Sequence, residues 1–362
     1  MKIKQIPEDF VVKEITSVKP IGQGDYIWCS LKKRNWDLFK LLKVIADRLQ
    51  ISRSRIGYAG IKDKEALTYQ TISFWNVSLQ KLKTLDIKDA ELNNFEYNQK
   101  PIRLGDLKGN WFSITVRDLD KGFNKKFLER KIEELKKNGV LNLFDSQRFG
   151  VRNVTHLVGK QIIKADFEKA MILYLTKTNK KDNSKTRRAR QLLEETGDLK
   201  EALKLFPKSS KWDLAIINHL IANPGDYLGS LKALPKRLQL LFVNAYQSYI
   251  WNKCAVEFSK RFPGRQIYLP LVGFNTKFGN SALDKIIKKA LNSEKIRAEN
   301  FKIQGIPELS FSGSQRELLV FPKNLGWLME TDELNQGKNK AVMEFELPKG
   351  SYGTHVVKEI FR

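Results

Sequence analysis

The chain has 362 residues, of which 41% are hydrophobic and 10% aromatic, so it has apolar material for two folded domains and is not globally disordered. Lys and Arg number 65 against 40 Asp and Glu, and the formal charge of +25 attracts polyanions, which favours a nucleic-acid partner. No apolar run approaches the roughly 20 residues of a membrane helix, and the first ten residues do not resemble a signal peptide, so we expect a soluble, cytoplasmic protein without a membrane partner.

Cysteine and histidine usage argues against disulfide and metal chemistry. The two cysteines, Cys29 and Cys254, are far apart in sequence, which excludes a disulfide framework and suits a reducing compartment. The three histidines make no ligand spacing with each other or with cysteine. We therefore predict no metal site, because zinc sites usually draw on clustered His and Cys.

The first 155 residues carry both strand and helix patterns. The segments "FVVKEI" and "YIWCSLKK" alternate as strands do, and a helical period then runs from Trp36 to about Ser52. Two further strands, "TYQTISFWNV" and "WFSITVRD", are followed by the helix "KKFLERKIEELKKNG", which Gly139 closes. This part of the chain is predicted to be α+β.

From about Gly159 to Arg261 the periodicity is helical and strand patterns are nearly absent. The most basic stretch, "KTNKKDNSKTRRAR" (Lys177 to Arg190), lies here, and it is either a solvated loop and helix start or a surface that tracks phosphates. The last part returns to strands in "RELLVFP" and "AVMEFELP". This order indicates a helical insertion within a domain that contains a sheet.

Motifs for nucleotide cofactors and serine hydrolysis are incomplete. The segment "GQGDYI" lacks the third glycine of a dinucleotide fingerprint, and the chain has no phosphate-binding loop of the Walker type. The segment "FSGSQR" lacks the flanking pattern of a hydrolase nucleophile elbow. We therefore predict no cofactor, and in particular no nucleotide cofactor.

One short stretch, "IGYAGIKDKEALTYQ", places a single acid, Asp63, between Lys62 and Lys64 after a mostly apolar run. This acid belongs either to a surface turn or to a catalytic site in which neighbouring cations keep it ionised. Three other segments combine glycines or proline with polar and aromatic residues, which permits close approach of backbone or ligand. They are "KQIPEDFVVKE", "RLGDLKGNWFSI", where Gly105 and Gly109 bracket a predicted loop, and "LPKGSYGTHVVKEI".

Together with "FDSQRFG" and "NAYQSYIWN", these segments closely resemble the TruD family of tRNA pseudouridine synthases. The similarity covers essentially the whole chain, and the combination of "GIKDK…T.Q", "KGN.F" and "QRFG" is highly specific. Members of this family isomerise uridine in RNA without a cofactor and are best known for the uridine at position thirteen of tRNA. The resemblance implies tRNA as the partner and a monomeric enzyme, although a non-catalytic RNA-binding or RNA-chaperone protein on the same scaffold is the alternative.

The family also implies a fold and a domain organisation. Residues 1–155 and 322–362 would form the mixed, largely antiparallel sheet of the pseudouridine-synthase catalytic domain. Residues 156–321 would form the inserted, largely helical TRUD domain, which docks RNA. From the residues alone, the prediction would be a basic two-domain RNA-binding protein, with a nuclease disfavoured by the lack of clustered carboxylates or a histidine pair.

In this family the acid of the "KDK" motif is catalytic, and it falls on Asp63 here. A carboxylate can act as the nucleophile, either at the sugar or at the base ring. Burial against an uncharged base would raise its pKa, so it needs a nearby cation. The family's basic partner matches Lys4. We prefer it to Lys62 and Lys64, which flank Asp63 in a predicted strand or loop where adjacent side chains point to opposite faces.

The remaining matched positions imply a pocket for a base that has been turned out of the RNA. Phe112 would stack on the uracil, and Asn110 would hydrogen-bond near the base or the catalytic aspartate. Phe10 and Tyr352 match aromatic positions that line the same pocket. Two further candidates have less defined roles: Glu14 of the first motif, and Arg148 of "FDSQRFG", which is structural or binds phosphate.

Overall fold

The computed structural model describes residues 1–16, 19–179 and 182–361. The chain divides into two compact units: unit 1 comprises Met1–Val140 and Val320–Arg362, and unit 2 comprises Leu141–Leu319. The helical insertion predicted at 156–321 falls almost wholly within unit 2. Two residues of the predicted basic stretch, Lys180 and Lys181, lie outside the described residues.

Strands and helices alternate in the first part of the chain, and helices dominate the middle. The strands in the described residues are β1 (Lys2–Ile3), β2 (Phe10–Thr16), β3 (Tyr26–Arg34), β4 (Ile56–Tyr58), β5 (Leu67–Trp75), β6 (Ala90–Asn98), β7 (Leu107–Leu119), β8 (Val140–Leu141), β9 (Tyr268–Leu271), β10 (Ser314–Glu317), β11 (Leu319–Val320), β12 (Lys323–Thr331) and β13 (Asn339–Pro348). The helices there are α1 (Leu38–Leu49), α2 (Leu79–Lys83), α3 (Lys125–Asn138), α4 (Thr155–Ile163), α5 (Phe167–Thr176), α6 (Ser184–Thr196), α7 (Leu199–Leu205), α8 (Lys211–Ala222), α9 (Tyr227–Lys232), α10 (Lys236–Arg261), α11 (Ala282–Ser293) and α12 (Gly353–Ile360).

Unit 1 is organised around a mixed sheet. Within the described residues, nine strands join it: the main order is β12-β13-β7-β2-β5-β3-β6, β1 pairs with β7, and β4 pairs with β5. Strands β2 and β5 run parallel, whereas β7 pairs antiparallel with both β2 and β13. The C-terminal strands thus complete the sheet that the first residues begin.

One face of this sheet carries two hydrophobic clusters. Alternate residues of β2, β7 and β13, such as Phe10, Ile114 and Phe345, pack with the buried side chains of α3 and α12. Alternate residues of β3, such as Leu31, pack with α1, whose apolar side recurs at helical spacing. The pairing register places both sets on the same face, because directly paired residues share a face of a sheet.

Several boundaries differ from the sequence-based predictions. Helix α1 starts at Leu38 and ends at Leu49, where Gln50 adopts a left-handed conformation that stops it. The predicted strand "RELLVFP" is divided between β10 and β11, which pair with β9 and β8 respectively. The C-terminal helix α12 was not predicted.

Unit 2 is mainly helical and has one large core. Helix α10 spans 26 residues, and its buried side chains, including Tyr246 and Trp251, lie in the same hydrophobic cluster as residues of α4, α5, α8 and α11. Strands β9 and β10 form a two-stranded antiparallel sheet in this unit. Among the described residues of the whole chain, no helix combines the length and the hydropathy that crossing a membrane would require.

Candidate active site in unit 1

The predicted catalytic aspartate lies in a loop, not in a strand. This Asp63 loop, residues 59–66, connects β4 to β5. Asp63 Oδ1 lies 3.0 Å from Lys4 Nζ, and the two side chains are 31% and 15% exposed. The structure therefore brings together two residues that are 59 positions apart, as a charge-assisted pair that a ligand can approach from one side.

Lys4 occupies a turn that is fixed by buried charges. Its φ of 63° lies in the left-handed region, which costs a non-glycine residue roughly 1 kcal/mol. The amides of Gln5 and Ile6 donate to Asp9 Oδ2 at 2.9 and 3.0 Å, and Arg117 Nε donates to Asp9 Oδ1 at 2.7 Å. These bonds hold the backbone directly after Lys4 and offset the strain of the turn.

The Lys4 ammonium group lies against one member of a cluster of aromatic rings. Lys4 Nζ lies 3.8 Å from the centroid of the Phe10 ring, so the cation contacts both a carboxylate and a π face. Phe112 meets Phe10 edge-on at 6.1 Å and stacks on Phe345 at 5.6 Å. Because Phe10 and Phe112 are 1% and 5% exposed, the ion pair rests on a dry aromatic wall.

A second set of charges, which the motifs do not predict as a group, holds the Asp63 loop against the sheet. Lys62 Nζ lies 2.7 Å from Glu14 Oε2, and both side chains are almost completely buried. Lys62 is therefore held by Glu14, on β2. Lys33 Nζ donates to the backbone oxygen of Asp63 at 2.7 Å, and burial lowers the pKa of Lys33 to about 8 although the charge of Asp63 opposes that shift.

Asn110 lies beside Glu14 and Leu347 in the sheet register. Its side-chain oxygen is buried and accepts no hydrogen bond from the described residues. A buried acceptor without a partner costs free energy unless a ligand or water supplies a donor. Asn110 therefore provides an acceptor on the same sheet face as the aromatic wall.

The strand that carries Asn110 depends on a glycine. The sequence analysis placed Gly109 at the end of a loop, but β7 begins at Leu107 and Gly109 lies inside it. A Cβ at Gly109 would lie 2.2 Å from the backbone oxygen of Leu347, so only glycine lets β13 approach here.

Tyr352 immediately precedes α12 and is partly exposed. A Cβ on the next residue, Gly353, would lie 2.8 Å from the ring of Phe112. Gly353 thus allows the start of α12 to pack against Phe112. This contact explains why a glycine follows Tyr352.

Arg148 belongs to unit 2. It lies in a 3-10 turn, Ser146–Phe149, and its Nε donates to Ser248 Oγ at 3.1 Å. Asp145 caps this turn by accepting from the amide of Ser146, a bond that a glycine could not make. The contact to Ser248 gives Arg148 a structural role, and phosphate binding stays a prediction.

Metal chemistry receives no support from the arrangement of ligands. Within residues 1–16, 19–179 and 182–361, no three His, Cys, Asp or Glu side chains are grouped so that they could hold a metal ion. The two thiols, Cys29 and Cys254, are buried, and burial raises the pKa of each.

Comparison with known proteins identifies the family. The model of the family "tRNA pseudouridine synthase D (TruD)" matches residues 1–264 and 260–360. The chain belongs to the TruD family. The family prediction, the enzyme class and the α+β fold are thereby confirmed.

TruD relatives match over almost the full length. A probable tRNA pseudouridine synthase D of Methanosarcina barkeri is 39% identical, with 100% of this chain and 93% of the relative aligned. A probable tRNA pseudouridine synthase D 1 of Methanocaldococcus jannaschii is 35% identical over 99% of this chain and 94% of its own length. The crystal structure of a putative TruD from Methanosarcina mazei superposes with a TM-score of 0.82 at 37% identity, covering 99% of this chain and 93% of that chain.

Within this TruD chain, Lys33 contacts the candidate site, and the motifs did not point to it. A signal for it exists in the strand pattern. Ile27, Cys29 and Leu31 occupy the buried positions of β3, and the next buried position carries Lys33. A lysine that continues an apolar alternation is a candidate for a buried, functional ammonium group.

Proposed function

We propose that this TruD protein isomerises uridine to pseudouridine in tRNA, at uridine 13 of the D arm, with Asp63 as the nucleophile. The observation that carries the proposal is the Lys4–Asp63 pair, 3.0 Å apart, against the aromatic wall of Phe10 and Phe112. It supplies a carboxylate whose charged form is stabilised by a neighbouring ammonium group.

The reaction breaks one bond and forms another at the same sugar carbon. The bond from ribose C1′ to uracil N1 breaks, the base turns, and C1′ joins uracil C5, which loses its hydrogen to solvent. N1 gains a proton, so the product is an isomer and no oxidant, reductant or cofactor is consumed. Asp63 would attack either the sugar or the base ring, and both routes require an ionised carboxylate.

The base must leave the RNA stack before the carboxylate can reach it. Phe112 would stack on the extruded uracil and Phe10 would line the same pocket; because both rings are buried, the base would have to displace part of their packing. Tyr352 precedes the helix that packs on Phe112. Asn110 Oδ1 provides an acceptor for an N–H or O–H donor of the nucleoside. Glu14 contributes through the buried pair with Lys62 rather than through contact with the base.

Unit 2 would provide the RNA docking surface. Its lysines and arginines outnumber its acidic residues by about two to one, so it carries most of the chain's net positive charge and would release counterions on binding phosphates. We further propose that the protein acts on tRNA in the cytoplasm as a monomer.

The test is incubation with unmodified tRNA transcripts, followed by carbodiimide labelling and primer extension. A reverse-transcriptase stop one nucleotide 3′ of position 13 in the D arm is expected, and it should disappear when the transcript carries cytidine at position 13. Stops elsewhere would overturn the proposed site. Tight, salt-dependent binding of the transcript without any stop would favour the RNA-chaperone alternative and overturn the proposed activity.

A further inference from the structure

A fully buried lysine contacts the backbone of the proposed nucleophile. Lys33 is 0% exposed, at the inward position of β3 that follows Leu31. Its Nζ donates to two backbone carbonyl oxygens, that of Trp36 at 2.9 Å and that of Asp63 at 2.7 Å. Burial of an ammonium group is costly, and carbonyl oxygens compensate it less than carboxylates do. If this side chain only filled space in the core, leucine or methionine would stabilise the fold more than lysine does.

We propose that Lys33 is a positioning residue for Asp63: it fixes the backbone of the Asp63 loop so that the carboxylate faces Lys4, and it adds a second positive charge to the site. This inference rests on the proposed function of Asp63. The carbonyl carbon of Asp63 is bonded directly to its Cα. A hydrogen bond that fixes the carbonyl therefore limits the directions in which the side chain can point.

Other contacts hold the neighbours of Asp63 within the Asp63 loop. Gln70 Nε2 donates to the backbone oxygen of Gly60 at 3.2 Å, and Glu14 binds Lys62 at 2.7 Å. The amide of Asn35 donates to the backbone oxygen of Ala66 at 3.2 Å. Both ends of the loop are thus secured independently. Removal of Lys33 should therefore leave the ends of the loop in place and remove the hydrogen bond to the backbone oxygen of Asp63 at its centre.

The Lys33 ammonium group also loses its proton within the pH range in which activity can be measured. Burial lowers its pKa to about 8, while Asp63 and Asp37 favour the ammonium form and Lys62 opposes it. The residues paired with Lys33 on the two adjacent strands are uncharged: they are Thr68 on β5 and Ala90 on β6. Above this pKa the amine can still donate hydrogen bonds, but the site loses one positive charge near the carboxylate.

The test compares Lys33→Met with Leu31→Ala, using the full-length protein and a tRNA transcript that the wild-type enzyme modifies. Leu31 is also 0% exposed and lies two residues earlier on the same face of β3, so its truncation destabilises the same core without touching the site. We expect Lys33→Met to lower kcat at least 30-fold with KM within threefold of wild type. Leu31→Ala should lower the melting temperature and keep kcat within threefold.

The wild-type pH profile provides a readout that a structural role would not move. We expect kcat to fall as the pH rises through about 8, and this alkaline limb to be absent in Lys33→Met. Lys33→Gln keeps a donor without the charge, so it should retain more activity than Lys33→Met and also lack the limb. If Lys33→Met does not fold, the activity of Lys33→Gln and the wild-type pH profile test the inference.

Three results would overturn the inference: kcat of Lys33→Met within threefold of wild type, an equal loss of kcat in Leu31→Ala, or a flat wild-type profile between pH 7 and 9.5. Failure of the proposed function looks different. In that case the wild-type protein forms no pseudouridine in any transcript. An active wild type, an inactive Asp63→Asn and a normal Lys33→Met would reject the role of Lys33 alone.

Discussion

Both units bury charged side chains, but the two networks differ in what they hold. In unit 2, Arg190 on α6 donates to the backbone oxygens of Tyr174 and Leu175 on α5 and, at 2.7 Å, to Asp213 on α8. Burial raises the pKa of Asp213, and Arg190 and Arg152 oppose that shift. These hydrogen bonds join three helices, and Asp182, 3.7 Å from Arg190 Nε, lies in the bend before α6.

In unit 1 one set of buried charges holds a loop. Lys33 binds the backbone of Asp63, and Glu14 on β2 binds Lys62 of the same loop, whereas the Asp63 carboxylate is partly exposed. Buried ion pairs seldom add net stability, because desolvation offsets their attraction. The comparison indicates that a network between helices serves packing, whereas a network beneath a loop with an exposed carboxylate serves a site.

The largest loss of activity should come from replacing Lys4, the cation that contacts the Asp63 carboxylate directly. We expect Lys4→Met to lower the single-turnover rate by on the order of 10²–10³, a loss typical of removing one charged group that stabilises a reacting centre. Thermal stability should change little, since the turn is held by the backbone amides of Gln5 and Ile6 rather than by the Lys4 side chain. Lys2→Met is the matched control, because Lys2 is two residues away, 51% exposed and bound to Asp118. A rate within threefold of wild type would remove Lys4 from the mechanism.

A pair of variants sharpens the comparison directly. Glu14→Gln leaves Lys62 buried without its carboxylate, and Arg190→Met leaves Asp213 buried without its guanidinium group. Each should cost about 3–5 kcal/mol of unfolding free energy in the unit concerned. We expect kcat per folded molecule to fall about tenfold for Glu14→Gln and to stay unchanged for Arg190→Met.

Urea unfolding with separate probes for each unit, together with kcat at low denaturant, measures both effects. The double variant Glu14→Gln, Lys62→Met should recover stability, because it removes the unpaired charge. Equal losses of kcat in Glu14→Gln and Arg190→Met would show that both networks act only through stability.

The smallest effect concerns the acid stability of the network behind Lys4. Arg117 binds Asp9, Asp332 and Glu333, and hydrogen bonds from Arg117 and Lys340 lower the pKa of Glu333 from 4.5 to about 2. A lowered folded-state pKa stabilises the fold above the unfolded value and ceases to do so as the pH falls through the folded value. The melting temperature of Glu333→Gln should therefore lie below that of wild type at pH 6 and converge with it by about pH 2. An undiminished difference at pH 2 would contradict this.

Much of the fold follows from the alternation of strand residues. Phe10 and Val12 on β2, like Phe112 and Ile114 on β7, identify the buried face of their strands, and the structure places them there. The helices of unit 2 could likewise be predicted from the helical spacing of their apolar residues. The division between β10 and β11 was not, because a single apolar run does not show where a chain changes its pairing partner.

The candidate site was predictable only in part. The family motifs identify Asp63 and Lys4, but these residues are 59 positions apart, and the sequence alone does not show that their side chains are in contact. Glu14 and Lys33 continue the inward-facing positions of β2 and β3, which are otherwise apolar. A charged residue at such a position in the sequence predicts a buried charge. Their partners depend on how β2 and β3 pair with β5, and pairing register is a tertiary property.

The central claim is that the Asp63 carboxylate carries out the isomerisation, and release of tritium from carbon-5-labelled uridine in tRNA measures this directly. The label is lost to solvent only when C1′ joins C5. We predict that Asp63→Asn releases tritium on the order of 10⁴ times more slowly than wild type while binding the same tRNA within about threefold. Release by Asp63→Asn within tenfold of the wild-type rate would contradict the account.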